Sequence, residues 1–392
     1  MLLIKGATLI DGTGRAAMTE SAIVIEGDRI KWVGRQADVD TSWHFEQTID
    51  ASGRYIIPGM IDAHTHICWD GRVRTDQVHL HSPYEAVLVS IQQIARILNT
   101  GVTGVRDVGG DRHVDIFIKK AINAGELIGP RLMVSGRWLC RTGGHVYWLG
   151  VEVDGVEEMR KGVREQIKAG ADMIKIMVTG GLATPGANIH LVQLTDEEIR
   201  TATDEARRFG MITAAHCHAL AGIKAAVRNG VYTIEHGLWT DEEAADLMAS
   251  HGAMLVMTIK KISSLEKDLP GIDEFEKKAG ALTSKVISLL RERKVPMALG
   301  TDDVMQGDGM PYVLEEVVKA GASPMEAIVA ATLNGAKAMG REASLGTIEA
   351  GKYADLVILN SDPLARIGNV RDIHAVYLGG KPVSRPVNPV VI

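Results

Sequence analysis

Several side chains in this sequence stand at spacings that suit a metal-dependent reaction. The run Ile61-Asp62-Ala63-His64-Thr65-His66 ends an apolar stretch with two histidines one residue apart. Side chains two apart on a strand point to the same face, so His64 and His66 can approach one cation together. Ala214-Ala215-His216-Cys217-His218 and Thr233-Ile234-Glu235-His236-Gly237 each carry imidazoles at the end of an apolar run, and Leu299-Gly300-Thr301-Asp302-Asp303 carries carboxylates. A lone histidine is more often a satisfied core group than a ligand. A ring of four histidines (64, 66, 216 and 236), one lysine (175) and one aspartate (302), drawn from five separate apolar runs, is a different matter. Imidazole and carboxylate are ligands of zinc and of its neighbours in the transition series.

The lysine sits in Met173-Ile174-Lys175-Ile176-Met177-Val178. Burying an unpaired ammonium costs several kcal/mol, so its presence in an apolar strand needs a cause. Lys175 either pairs with a buried carboxylate, or burial lowers its pKa until the neutral amine captures carbon dioxide as a cation-bridging carbamate. Spacing alone does not choose between the two.

Elements must bring these residues together. Continuous apolar runs, the mark of strands buried on both faces, occur at Ile56–His66, Val102–Val108, Arg131–Ser135, Asp172–Val178, Met211–His216, Val231–His236, Ala253–Thr258 and Pro296–Gly300. Amphipathic stretches lie between them, including Ser82–Leu98, Thr195–Phe209, Asp241–His251 and Asp273–Arg293; Thr195-Asp196-Glu197-Glu198 reads as a capping box. Strand and helix in alternation predict a (β/α)8 barrel, an α/β fold with its chemistry at the C-terminal strand ends. An open doubly wound sheet would bring a Gly-rich dinucleotide loop after its first strand, and no such fingerprint is present. Both ends of the chain instead alternate short apolar runs with glycine turns, predicting small antiparallel strands that pair into one β-sandwich. The expected division is 1–56 and 343–392 for the sandwich and 57–342 for the barrel.

Composition narrows the function further. Hydrophobic residues make up 46% and charged residues 23%, which excludes a disordered chain. A net charge of −6 excludes a basic nucleic-acid footprint. Three cysteines, Cys68, Cys140 and Cys217, are too few for a disulfide framework and point to a reducing cytoplasm. No stretch has the uninterrupted apolar length of a membrane span, about 18 residues or more.

The chain resembles the amidohydrolase superfamily, in its imidazolonepropionase-like and prolidase-like branch. The resemblance rests on Pro58-Gly59-Met60-Ile61-Asp62-Ala63-His64-Thr65-His66, Gly101-Val102-Thr103-Gly104-Val105-Arg106-Asp107, Thr142-Gly143-Gly144-His145, Ile174-Lys175-Ile176, Thr233-Ile234-Glu235-His236-Gly237, Gly300-Thr301-Asp302 and the closing stretch Gly346–Val357. It implies a distorted barrel, a sandwich built from both termini, and two divalent metal ions, with zinc the default. His64, His66 and Asp302 would hold one ion and His216 and His236 the other, with Lys175 bridging them as N6-carboxylysine. A hydroxide between the ions would attack an amide carbonyl, with Asp302 as catalytic proton acceptor. The implied substrate is a dipeptide or N-acyl amino acid; a cyclic amide, carbamate, urea or xenobiotic amide is the alternative. A one-metal deaminase fits poorly with Lys175, and a non-catalytic scaffold fits poorly with the complete ligand set. A homo-oligomer is the expectation carried by the family.

Two further histidines are expected beside the substrate. His145 follows Gly143-Gly144, where the backbone can approach a ligand closely. His218 stands where dipeptide-cleaving relatives often carry a tyrosine for the substrate carboxylate. The loop 179–185 is expected as pocket wall and 76–81, with His79 and His81, as a lid. Cys217 is expected to face the helices, and Cys68 to be a buried thiol.

Overall fold

A computed structural model of the chain describes residues 1–69, 71, 73–184, 188–259, 272–302 and 309–387, the side chains of 272–276 excepted. Pro185 and Asp303 lie outside the described residues. Every one of the eight apolar runs contributes a parallel barrel strand: β1 (Met60–Thr65), β2 (Val102–Asp107), β3 (Arg131–Val134), β4 (Ile174–Met177), β5 (Thr213–Cys217), β6 (Thr233–His236), β7 (Met254–Thr258) and β8 (Met297–Gly300). All residues of β1, β2, β4, β5 and β6 are buried, as strands covered by helices outside and side chains inside must be. The intervening helices present their apolar stripe inward; Ala86, Val89, Ile94 and Leu98 of Pro83–Asn99 are buried. Capping boxes start that helix, at Ser82 and Glu85, and Asp196–Arg208, at Thr195 and Glu198.

The barrel is distorted at two seams. β1–β3 form one sheet, and β4–β8 belong to another that begins with the short strands Val151–Glu152 and Leu139–Cys140. Isolated hydrogen bonds span the gaps, from Asp172 N–H to Val134 O at 2.8 Å and from Asp302 N–H to His64 O at 2.8 Å. At the second seam Gly300 must lack a side chain, because a Cβ there would lie 2.4 Å from Cβ of His64.

Both termini pair into one sheet of Leu2–Leu9, Met18–Glu26, Arg29–Arg35, Gln47–Asp50, Tyr55–Pro58, Leu356–Leu359, Ile373–Leu378 and Lys381–Pro382. The expectation of antiparallel strands throughout is corrected, since Leu2–Leu9 runs parallel to Gln47–Asp50 and Tyr55–Pro58. The connection after Arg29–Arg35 is long enough to cross over rather than turn back. The run Ile56–His66 is likewise two strands. Its first part pairs with Leu356–Leu359, and at Gly59 the chain passes from the sandwich sheet to β1. Among the described residues no helix is long and apolar enough to cross a membrane.

Arg131, the first residue of β3, ties barrel to sandwich. Its guanidinium donates from Nε and Nη2 to the Asp355 carboxylate at 2.6 and 3.0 Å and lies 3.6 Å from the centre of the Tyr353 ring. Removing it leaves a buried carboxylate with less compensation than it needs. Arg131→Leu is expected to lower unfolding stability by about 1–3 kcal/mol in chemical denaturation, and an unchanged midpoint would mean the ion pair does not couple the two units.

Candidate metal centre

The strand ends deliver the expected histidines and aspartate to one mouth of the barrel. His64 and His66 leave β1 on the same side, and the loop after β8 brings Asp302 to them. The Nε2 atoms of the two rings stand 3.3 and 3.5 Å from Oδ1 of Asp302. The opposite edges are tied down. Nδ1 of His64 meets Oε2 of Glu235 at 2.6 Å and Nδ1 of His66 meets the Gly109 carbonyl at 2.6 Å. A carbonyl only accepts, as does an ionised carboxylate, so each ring carries its proton on Nδ1 and turns an Nε2 lone pair toward Asp302.

A second group forms from β5 and β6. Nδ1 of His216 and Nε2 of His236 face each other at 2.8 Å. The far edge of His216 is held by the Gly180 carbonyl at 3.2 Å, and that of His236 by the Thr258 hydroxyl at 2.7 Å. His218 joins them: His216, His218 and His236 offer ligand atoms within 4.8 Å of one another, as do His64, His66 and Asp302. The sequence reading placed His218 on the substrate side. Its grouping with two ligand candidates follows from the same two-residue strand period that pairs His64 with His66, a signal already present in His216-Cys217-His218. Cys217 itself packs among the apolar residues behind the strand.

Burial sets the protonation of this cluster. It lowers the pKa values of His66, His216 and His236, so the rings are neutral and fit to bind a cation. Lys175 is 1% exposed, and burial pulls its ammonium down to about 8. Burial alone would raise Asp302, but the His64 and His66 rings set against it outweigh that and hold the carboxyl well below the usual carboxylate range. His236 and Asp302 both adopt left-handed backbone, φ 68° and 54°, a conformation that costs free energy in non-glycine residues and collects at functional sites.

Sequence reading missed the partners behind the ligands. Arg106 of β2 and Glu235 of β6 are both fully buried, and Nη2 of the arginine lies 2.7 Å from each carboxylate oxygen. Thr233 adds its hydroxyl to Oε1 of Glu235 at 2.6 Å. Burial would raise the Glu235 carboxyl, but the Arg106 charge and the His64 contact outweigh it and hold it low. The signal was available: a charged residue inside the apolar run of β2 calls for the same explanation as Lys175.

The remaining sites fall around this centre. His145 is buried, with its ring 4.3 Å from that of His216, and burial pushes it down to about 3. His218 is stacked 4.8 Å from His236 and pushed down by burial to about 4. Residues 75–80 form a 3-10 turn packed on Trp148, whose indole donates to Thr75 O at 3.2 Å; His79 and His81 stay out of both ligand groups. Cys68 is a buried thiol, raised well above its ordinary value by burial.

Two outcomes follow. Glu235→Gln is expected to weaken divalent-metal affinity by about 10- to 100-fold, read as metal retained through dialysis against graded chelators; undiminished retention would deny the carboxylate its role in orienting His64. The metal-free protein is expected to lose stability as pH falls from about 6.5. Its unfolded histidines take up protons there, whereas folded His218 and His145 do so only near 4 and 3. The low carboxyl of Asp302 adds to the loss in the same direction at more acid pH. A flat stability profile between pH 6.5 and 4 would contradict buried neutral rings.

The chain is similar to several known proteins. The chain matches the amidohydrolase family model over residues 55–383. It is 31% identical to an ochratoxinase from Aspergillus niger, over 98% of this chain and 87% of that protein. It is 25% identical to an imidazolonepropionase from Cupriavidus taiwanensis, over 97% and 92% of the two chains. The crystal structure of a Xaa-Pro dipeptidase with bound methionine superposes with a TM-score of 0.86 at 29% identity, covering 98% of this chain and 99% of the other. The chain belongs to the amidohydrolase family and is a hydrolase of carbon–nitrogen bonds.

Proposed function

We propose that this protein hydrolyses the amide bond of a dipeptide or an N-acyl amino acid, using two divalent cations. The observation that carries the reading is the convergence of the His64–His66–Asp302 and His216–His236 ligand atoms at one barrel mouth, beside buried Lys175. The donor set suits zinc: neutral imidazoles with their outer edges already hydrogen-bonded, and one ionised carboxylate. In this reading His64, His66 and Asp302 would hold one ion and His216 and His236 the other, with Lys175, as N6-carboxylysine, as a ligand that both would share. Its neutral amine adds to carbon dioxide and releases one proton, leaving N6-carboxylysine. When bound, the two ions supply an activated water and a Lewis acid for the carbonyl.

The protein's own groups do the rest. Asp302, ionised at neutral pH, accepts the proton from the attacking water as its oxygen bonds to the carbonyl carbon. When the C–N bond breaks, Asp302 returns that proton to the departing amine, giving a carboxylic acid and a free amine. His145 would donate to the substrate's polar groups, and His218 is the candidate partner of the substrate's carboxylate. The likeness to a Xaa-Pro dipeptidase supports a peptide-like amide as substrate.

A screen of dipeptides and N-acyl amino acids with zinc-loaded protein tests this. Lys175→Ala and Asp302→Asn are each expected to lose about 10²-fold or more in turnover. Near-normal turnover in Asp302→Asn would remove its proton-transfer role, and cleavage confined to cyclic amides, carbamates or ureas would replace the substrate class. Metal analysis is expected to find two equivalents per chain, and one equivalent would contradict the paired site.

A further inference from the structure

His145 reaches the metal centre from a turn rather than a strand, and two residues of the segment after β4 hold that turn. Its backbone N–H donates to Oε1 of Gln193 at 3.0 Å. Its ring Nδ1 lies 2.8 Å from the hydroxyl of Thr184, and the backbone N–H of Val146 donates to that same hydroxyl oxygen at 2.8 Å. Among the described residues the Thr184 hydroxyl has no other partner.

These three contacts determine where the ring proton sits. A hydroxyl has one proton to donate and two lone pairs to offer. Val146 N–H takes one lone pair. If Nδ1–H of His145 took the other, the hydroxyl proton would have no acceptor among the described residues. If the Thr184 O–H donates to Nδ1 instead, all three groups are satisfied, as part-buried polar groups generally are. Nδ1 is then an acceptor, and the ring carries its proton on Nε2. That atom has no hydrogen-bond partner among the described residues. It lies under Gly181, where an added Cβ would come within 2.4 Å of Nε2 of His145 and 2.7 Å of Nε2 of His216. Glycine at 181 lets the backbone pass over both rings without displacing either.

We propose that Thr184 is a positioning residue that fixes His145 in its Nε2–H form, making that N–H a preset hydrogen-bond donor to the substrate at the metal centre. The donor role rests on the amide-hydrolysis reading above, whereas the proton's place on the ring does not. Preset donors aimed at developing charge are effective because they need no reorganisation during the reaction. The opposite tautomer would present a lone pair to the substrate's oxygen and repel it.

The test separates the two parts. In zinc-loaded protein with 15N-labelled histidine, two-bond 15N–1H correlation spectra distinguish the two neutral imidazole forms, and a His145→Gln variant identifies the relevant signals. Wild type and Thr184→Ser are expected to show the Nε2–H pattern. Thr184→Val, which keeps the shape but removes the hydroxyl, is expected to show Nδ1–H or an exchange average. An Nδ1–H pattern in wild type, or an unchanged pattern in Thr184→Val, would overturn the assignment; should Thr184→Val fail to fold, the wild-type spectrum decides alone. With the best substrate from the screen, Thr184→Val is expected to lose about 10- to 100-fold in kcat with little change in KM, and Thr184→Ser to recover most of it. A loss confined to KM, or no rescue by serine, would overturn the positioning role. Failure to cleave any compound would end the amide-hydrolysis reading while leaving the spectroscopic test intact.

Discussion

Taking an arginine, a glutamate, a lysine and several imidazoles out of water costs several kcal/mol for each charge left uncompensated, and the barrel bears this by giving the buried polar edges fixed partners. Arg106 neutralises Glu235 through a guanidinium nitrogen set 2.7 Å from both carboxylate oxygens. Glu235 in turn holds Nδ1 of His64. The Gly109 and Gly180 carbonyls and the Thr258 hydroxyl do the same for His66, His216 and His236. With each outer edge occupied, only the inner edges remain for a cation. The centre is therefore set by hydrogen bonding behind the ligands as much as by the ligands.

The same constraint explains why the strands end as they do. A parallel strand brings a side chain to the mouth only if its last residues point inward, and the chain must then leave sharply. His236 and Asp302 take left-handed backbone at this point. The seam between β8 and β1 is narrow enough that Gly300 packs directly on His64, which places Asp302 beside both β1 histidines. At these positions backbone strain and close approach coincide with the converging ligand atoms.

Much of this was legible in the chain. Apolar runs alternating with amphipathic stretches gave the barrel strands, and the two-residue strand period put His64 and His66 on one side. Glycine-punctuated ends gave the terminal sheet. What was not legible depends on contacts between distant segments. Whether Leu2–Leu9 pairs parallel or antiparallel is a matter of crossover, not of local pattern. The junction at Gly59 divides a run that reads as one continuous strand. Thr184 and His145 lie in different loops, and only folding reveals that they share a hydrogen bond. Arg106 and Glu235 were visible as charges in apolar strands, but their pairing, and its hold on His64, required the barrel to close.

A crystal structure of the zinc-loaded protein with anomalous data at the zinc edge bears most directly on the paired centre. Two peaks are expected, one against Nε2 of His64 and His66, the other against Nδ1 of His216 and Nε2 of His236, with density extending from Lys175 Nζ between them. A single peak, a bare lysine side chain in active protein, or His216 bound through its Nε2 edge would contradict the mechanism set out above.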